Sequence, residues 1–218
     1  MPASAAPGLG VPDRFQALWR RCLIDGARDD SATIHRRLLD AYGEPWRYYH
    51  TLAHIEHCIV WFDACRSRAN DPDALELAVW FHDAVYEPGN PDNEAESSKL
   101  YLQLSDGVHR PATRDLVDRL IMATQHLGSS LDSNNDARYM VDIDLSSFGL
   151  PWKEFLRDSE NLRREAAALD DEAYYRKAKN FHDSLLARDR FYYTDFFAER
   201  LEARARDNIR RYLARIAG

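Results

Sequence analysis

The chain has 218 residues, 45% of them hydrophobic and 30% charged, a length that is sufficient for one well-formed hydrophobic core. Its formal net charge of −7 argues against a nucleic-acid polymer as partner, although a metal ion and local cations would still admit a small anionic substrate. The three cysteines argue against a disulfide framework and favour the cytoplasm. No apolar run reaches about 18 residues, which argues against a membrane-spanning helix.

Helical periodicity runs through nearly the whole sequence, and no segment alternates convincingly with the period of a strand. Residues 1–11 lack the features of a signal peptide and are expected to form a flexible tail, whereas 12–218 is expected to be one all-α domain. Helices are predicted at about 12–26, 31–42, 50–67, 75–86, 92–104, from Pro111 onward, 137–148, 151–169, 172–187 and 194–216.

The stretch LELAVWFHDAVY, Leu75–Tyr86, is apolar on nearly every side, which is typical of a helix packed on several faces. His82 and Asp83 stand side by side in its centre. A buried carboxylate is very costly unless something pairs with it. A bound metal ion is the simplest partner for an adjacent imidazole and carboxylate in such a place.

Three histidines, His50, His54 and His57, follow at i, i+4 and i+7 and therefore project from one side of the helix predicted at 50–67. Any one of them alone could equally be a surface or core-edge residue. The segment is not a metalloprotease HExxH motif, because Thr51 occupies the position of the glutamate.

Two further carboxylates, Asp142 and Asp144, occur in the apolar segment MVDIDLS. Residues two apart on a helix point about 200° from each other, so only one of the two can face a site squarely. An exposed pair of aspartates is the alternative interpretation.

The ordered set His50, His82-Asp83 and Asp144 resembles the HD superfamily of metal-dependent phosphohydrolases, which is named for its His-Asp doublet. The segments RYYHTLAHI, FHDAVYEPGNPDNEAES, DIDLSSFG and EARARDNI are similar to a bacterial branch of HD-type phosphohydrolases, over about residues 12–213. This resemblance implies a single compact HD-like helical bundle of about nine to eleven helices.

The resemblance also implies roles for individual residues. The metal ligands would be His50, His82, Asp83 and Asp144. Asp144 is preferred over Asp142 because the final aspartate of the superfamily is typically followed by a short apolar step, as Asp144 is by Leu145. His54 would lie one turn away as a substrate contact or a support for the ligands. A single ion is expected, although a second ion that uses His126 is an alternative, since dinuclear members of the superfamily carry extra histidines before the last aspartate.

Two imidazoles and two carboxylates suit Mn²⁺, Fe²⁺, Co²⁺, Ni²⁺ or Zn²⁺, with Mg²⁺ also allowed. Such an ion polarises a phosphoryl group and acidifies its bound water. The residues expected to assist catalysis are Asp83, Glu94 and Glu87, of which either glutamate could orient the water. The residues expected to contact substrate are Arg47, His54, His126 and Arg163, the arginines because phosphate needs cationic partners.

These residues predict a metal-dependent phosphohydrolase that acts on a small phosphorylated substrate, of which a nucleotide is the favoured example. The first alternative is a module that binds metal and nucleotide as a sensor without turnover. A dinuclear-iron oxygenase is a third interpretation and would need His126 plus a further ligand. The sequence leaves open whether the chain is a monomer or a homodimer.

Overall fold

We describe a computed structural model in which residues 13–126 and 134–217 are defined; the tail expected at 1–11 lies outside them. This part of the chain folds into ten α-helices and contains no strand. The helices are α1 (Asp13–Cys22), α2 (Ser31–Tyr42), α3 (Leu52–Cys65), α4 (Pro72–Phe81), α5 (Asn93–Leu104), α6 (Pro111–Met122), α7 (Asn135–Asp144), α8 (Trp152–Glu165), α9 (Asp171–Leu186) and α10 (Asp195–Ala217). The prediction of an all-α bundle with nine to eleven helices is confirmed.

Helix α2 runs from Ser31 to Tyr42 as predicted, whereas α4 begins at Pro72, before its predicted start at Leu75. Asp170 caps α9 by accepting a hydrogen bond from the backbone N–H of Ala173, and Asp71 caps α4 through Ala74 in the same way. Pro111 begins α6 as expected. Within the described residues, no helix has both the length and the apolar character that crossing a membrane requires.

Helix α4 lies at the centre of the hydrophobic core, with every residue from Ala74 to Phe81 buried. Trp19 of α1 and Phe81 pack with ring centroids 6.2 Å apart, and Phe15 meets Trp80 edge to face at 5.4 Å. Each fully buried side chain of this size contributes about 1.5–3 kcal/mol. This burial fixes the end of α4, from which the His82-Asp83 doublet follows.

The doublet does not sit in the middle of a helix, contrary to the sequence-based expectation. Helix α4 ends at Phe81, and a turn occupies the next residues. The Arg47 guanidinium donates to the carbonyl oxygens of two residues in this turn, Asp83, at 2.7 Å, and Ala84, at 3.3 Å. Buried carbonyl oxygens outside a helix need such donors, so Arg47 holds the turn that carries Asp83 in place.

A second buried charge ties α7 to α10. The Asp142 carboxylate accepts hydrogen bonds from the backbone N–H groups of Tyr193 and Thr194, both at 2.8 Å, and from the Thr194 hydroxyl at 2.7 Å. Burial raises the pKa of Asp142 to about 7 against the opposing effect of these donors. Asp142 therefore anchors the start of α10 and fixes the orientation of α7, at whose end Asp144 lies.

The buried His109 should make stability depend on pH. Burial lowers its pKa to about 4, below the unfolded value of about 6.5. Between these values the unfolded chain binds a proton that the folded chain excludes, so the free energy of unfolding should fall as the pH drops from 6.5 toward 4. One such histidine contributes at most about 1.4 kcal/mol per pH unit.

We therefore expect His109→Gln to flatten the pH dependence of stability by up to about 1.4 kcal/mol per unit between pH 6 and 5. Urea unfolding of wild type and variant at pH 7, 6 and 5 measures the two slopes. Parallel curves, offset only by a constant loss of stability, would contradict the assigned pKa.

Candidate metal centre

Four side chains from three parts of the chain converge on one point. They are His54 from α3, His82 and Asp83 from the turn after α4, and Asp144 from the end of α7. His54 Nε2 lies 3.2 Å from His82 Nε2, 3.2 Å from Asp144 Oδ1 and 3.6 Å from Asp83 Oδ2. His82 Nε2 lies 3.1 Å from Asp83 Oδ2 and 3.5 Å from Asp144 Oδ1.

These separations fit the coordination sphere of a metal ion. Two ligand atoms that each lie about 2.0–2.2 Å from one ion are about 2.8–3.6 Å apart in octahedral or tetrahedral geometry. The five separations, from 3.1 to 3.6 Å, all fall within that span. The side chains present could therefore hold an ion between them.

The hydrogen bonding of His82 prepares one of these nitrogens as a ligand. Its Nδ1 lies 3.0 Å from the carbonyl oxygen of Val79. A carbonyl oxygen can only accept, so Nδ1 carries a proton, and in the neutral form of the ring Nε2 presents its lone pair. That lone pair points toward His54 and the two carboxylates.

Cys58 belongs to the same cluster and had no role in the sequence-based hypothesis. Single ligand atoms of His54, Cys58, His82 and Asp144 lie within 4.8 Å of one another, and this buried group could hold a metal ion. The thiol lies 3.7 Å from His54 Nε2, and burial raises its pKa well above the ordinary value, which favours the protonated form. Asp83 offers an ionised oxygen 3.1 Å from His82 Nε2, so we expect the carboxylate rather than the thiol to be the fourth ligand.

The charges of the cluster compensate one another. Burial would lower the pKa of His82, but Asp83 and Asp144 hold it well above its usual value. Burial likewise opposes ionisation of Asp144, yet hydrogen bonds from His126, His54 and His82 hold its pKa well below normal. The cluster therefore requires positive charge between two carboxylates, which either a proton or a divalent cation provides.

His50 is held beside this cluster by Glu165, a residue that the sequence analysis did not assign. Glu165 Oε1 accepts the backbone N–H groups of Tyr48, Tyr49 and His50 at 2.7–2.9 Å, and its Oε2 lies 2.6 Å from His50 Nδ1. Burial opposes ionisation of Glu165, but these hydrogen bonds lower its pKa. A carboxylate on Nδ1 typically orients a metal-binding histidine.

The structure brings His54 into the ligand group and places the His50 ring centroid 6.2 Å from that of His54. The His50 ring stacks on Tyr86 at 4.0 Å. The role of His50 as a ligand stays a prediction. The sequence pattern places both histidines on one face of a helix predicted from residue 50, but α3 begins at Leu52, so His50 lies in the segment before the helix and only His54 is part of it.

The two predicted water-orienting glutamates lie in different surroundings. Glu94, half-buried at the start of α5, is close enough to the centre that Asp83 and Asp144 add to the rise in its pKa caused by burial. Glu87 is exposed, and its carboxylate accepts a hydrogen bond from the Asn90 side chain. Burial and electrostatic coupling to the centre therefore favour Glu94 over Glu87.

Of the other predicted residues, His126 contacts the candidate metal centre, whereas Asp142 and Arg163 hold helices together. His126 Nε2 lies 3.0 Å from Asp144 Oδ2, and its backbone has a φ of 57°, a conformation that is uncommon outside glycine. Asp142 faces α10, as the 200° rule requires of one member of the pair. Arg163 donates to Asp171 and to the carbonyl oxygens of Ala166 and Leu169, which ties α8 to α9.

A polar cavity of about 210 Å³ adjoins His54 between α3 and α8. Its lining includes Tyr49, His57, Arg157 and Asp158. The lining offers both donors and acceptors, so it could admit a small polar molecule next to the ligand group.

Comparison of the chain with models of protein families, with curated proteins and with solved structures found no match. The resemblance to the HD superfamily therefore remains an expectation from the motifs.

We expect Glu165→Ala to destabilise the protein by about 3–5 kcal/mol, because it removes a buried carboxylate and leaves three part-buried N–H groups and His50 without their acceptor. Chemical denaturation measures the loss. The matched control is Glu160→Ala on the exposed face of the same helix, which should cost less than about 0.5 kcal/mol. Equal losses in the two variants would contradict the anchoring role.

Proposed function

We propose that this protein is a metal-dependent phosphohydrolase that acts on a small phosphorylated substrate, with a nucleotide as the favoured class. The observation that carries the proposal is the convergence of His54, His82, Asp83 and Asp144 at separations of 3.1–3.6 Å. The order of these residues along the chain also matches the H…HD…D pattern of the resembled superfamily.

Two imidazole nitrogens and two carboxylate oxygens favour Mn²⁺, Fe²⁺, Co²⁺, Ni²⁺ or Zn²⁺ over a calcium-type ion. When bound, such an ion supplies Lewis acidity toward a phosphoryl oxygen and a more acidic water. The protein contributes orientation: Val79 fixes the His82 ring and Arg47 fixes the turn that carries Asp83.

Glu94 is the general-base candidate of this proposal. Its raised pKa brings a carboxylate closer to the working pH, where proton transfer is most efficient. His126 holds one oxygen of Asp144, so that the other oxygen faces His54. These residues would set the direction of attack and the orientation of the last ligand.

A sensing module remains the second candidate, because the arginines predicted to bind phosphate have partners within the protein. The guanidinium groups of Arg47 and Arg163 both donate hydrogen bonds to carboxylates and carbonyl oxygens of the chain itself. A site without a cation for the transition state would bind a phosphorylated ligand and turn it over poorly.

We expect protein purified without added metal or chelator to hold about one transition-metal ion per chain, by elemental analysis, and His82→Ala to lose it. His57→Ala is the matched control, because His57 lies on the same face of α3 but bonds to the Ser146 hydroxyl at 2.9 Å. Full metal content in His82→Ala would refute the site.

The same measurement assigns the remaining ligands. Asp144→Asn should lose metal and Asp142→Asn should keep it, and Cys58→Ala should keep it if Asp83 is the fourth ligand. Comparing His54→Ala with His50→Ala decides which histidine on this side of the site binds the ion, and retention in His54→Ala would favour His50.

We expect phosphate release from at least one member of a nucleotide panel when the matching metal is present. Glu94→Gln should lower kcat by about 10²–10⁴-fold with unchanged metal content, because the general base is lost. Glu87→Gln should leave the rate unchanged; the opposite result would assign the role to Glu87. Bound metal without turnover of any substrate would favour the sensing module.

A further inference from the structure

A second cavity, of about 330 Å³, lies between the 3-10 turn after α3 and the first turns of α7 and α10. We call it the arginine cavity. It is lined by Arg68, Asn135, Arg138, Tyr139, Arg190, Tyr193, Thr194, Asp195 and Phe196. No side chain proposed for the metal centre takes part in this lining.

The charge of this cavity is opposite to that of the chain. Three arginines and one aspartate give the lining a formal charge of +2, whereas the whole protein carries −7. The N-terminal ends of α7 and α10 add the positive ends of two helix dipoles. A cavity of this charge in an acidic protein concentrates small anions.

Two contacts hold Arg68 in position. Its guanidinium lies over the Phe196 ring at 5.3 Å, and its carbonyl oxygen accepts a hydrogen bond from the Asn135 side chain at 3.0 Å. Stacking on an aromatic ring uses only the face of a guanidinium, and at its edge Arg68 interacts with the Tyr139 hydroxyl, which also lines the cavity. The fork of donors matches the oxygens of a phosphate.

Arg190 pairs with Asp195 at 2.8 Å, and this pair is largely exposed. Exposed ion pairs contribute only about 0–1 kcal/mol, so an anion that enters the cavity can replace the Asp195 carboxylate at small cost. Asp195 therefore acts as a weak internal competitor for the ligand.

The arginine cavity is distinct from the metal centre although both use α7. Arg138 and Asp144 are six residues apart, which corresponds to about 9 Å along the helix axis. Asp142, between them, bonds the backbone of Tyr193 and Thr194, which line the cavity. We propose that the arginine cavity is a binding site for a small oligophosphate anion, independent of the metal centre.

Isothermal titration of inorganic pyrophosphate into the full-length protein in EDTA tests this proposal. We expect saturable binding near one equivalent, retained in His82→Ala, and weaker binding of citrate, a carboxylate anion of similar charge. Binding that requires metal or is lost in His82→Ala would place the pyrophosphate at the metal centre and overturn the proposal. Citrate binding as strong as pyrophosphate would overturn the assigned ligand class.

Variants make the test specific. Arg68→Gln and Arg190→Gln should each weaken binding about tenfold, the loss expected for one charged hydrogen bond. Asp195→Asn should strengthen binding, because it removes the competing carboxylate. Arg176→Gln, an exposed arginine on α9, is the control and should change nothing. Weaker binding in Asp195→Asn, or equal effects of Arg68→Gln and Arg176→Gln, would refute the site.

Discussion

The constraint that the rest of the structure depends on is the burial of two carboxylates, Asp83 and Asp144, against a hydrophobic core. Isolated charges in such surroundings are very costly, and the cost is offset only by opposite charge and by hydrogen bonds at close range. His54, His82 and His126 supply both, at 3.0–3.6 Å. The same charge pattern could accommodate either a proton or a cation between the two acids.

The helices that carry these residues are held at their ends by other buried charges. Arg47 donates hydrogen bonds to carbonyl oxygens after α4. Glu165 accepts hydrogen bonds from backbone N–H groups before α3, and Asp142 accepts them from backbone N–H groups before α10. In each case a side chain pairs with backbone groups of the segment that adjoins a helix. The positions of the side chains in the candidate metal centre therefore depend on residues that are not part of it.

Periodicity and capping signals predicted the fold well, because both are local properties of the chain. The 200° separation on a helix also predicted that one aspartate of the pair would face away, and Asp142 does. The end of α4, and the parts played by Glu165 and Cys58, could not be predicted in this way. Glu165 lies 115 residues from His50 in sequence, so only the folded chain reveals the pair.

The proposed metal centre and the proposed anion site lie at opposite ends of α7. At the end of the helix the carboxylate of Asp144 faces histidines in a group that could hold a metal ion, whereas at its start Arg138 lines the arginine cavity together with Arg68. The dipole of α7 supports both, since its N-terminal end is positive and its C-terminal end negative. Because a helix is stiff over ten residues, the separation of the two charges is fixed by the length of α7 rather than by loops.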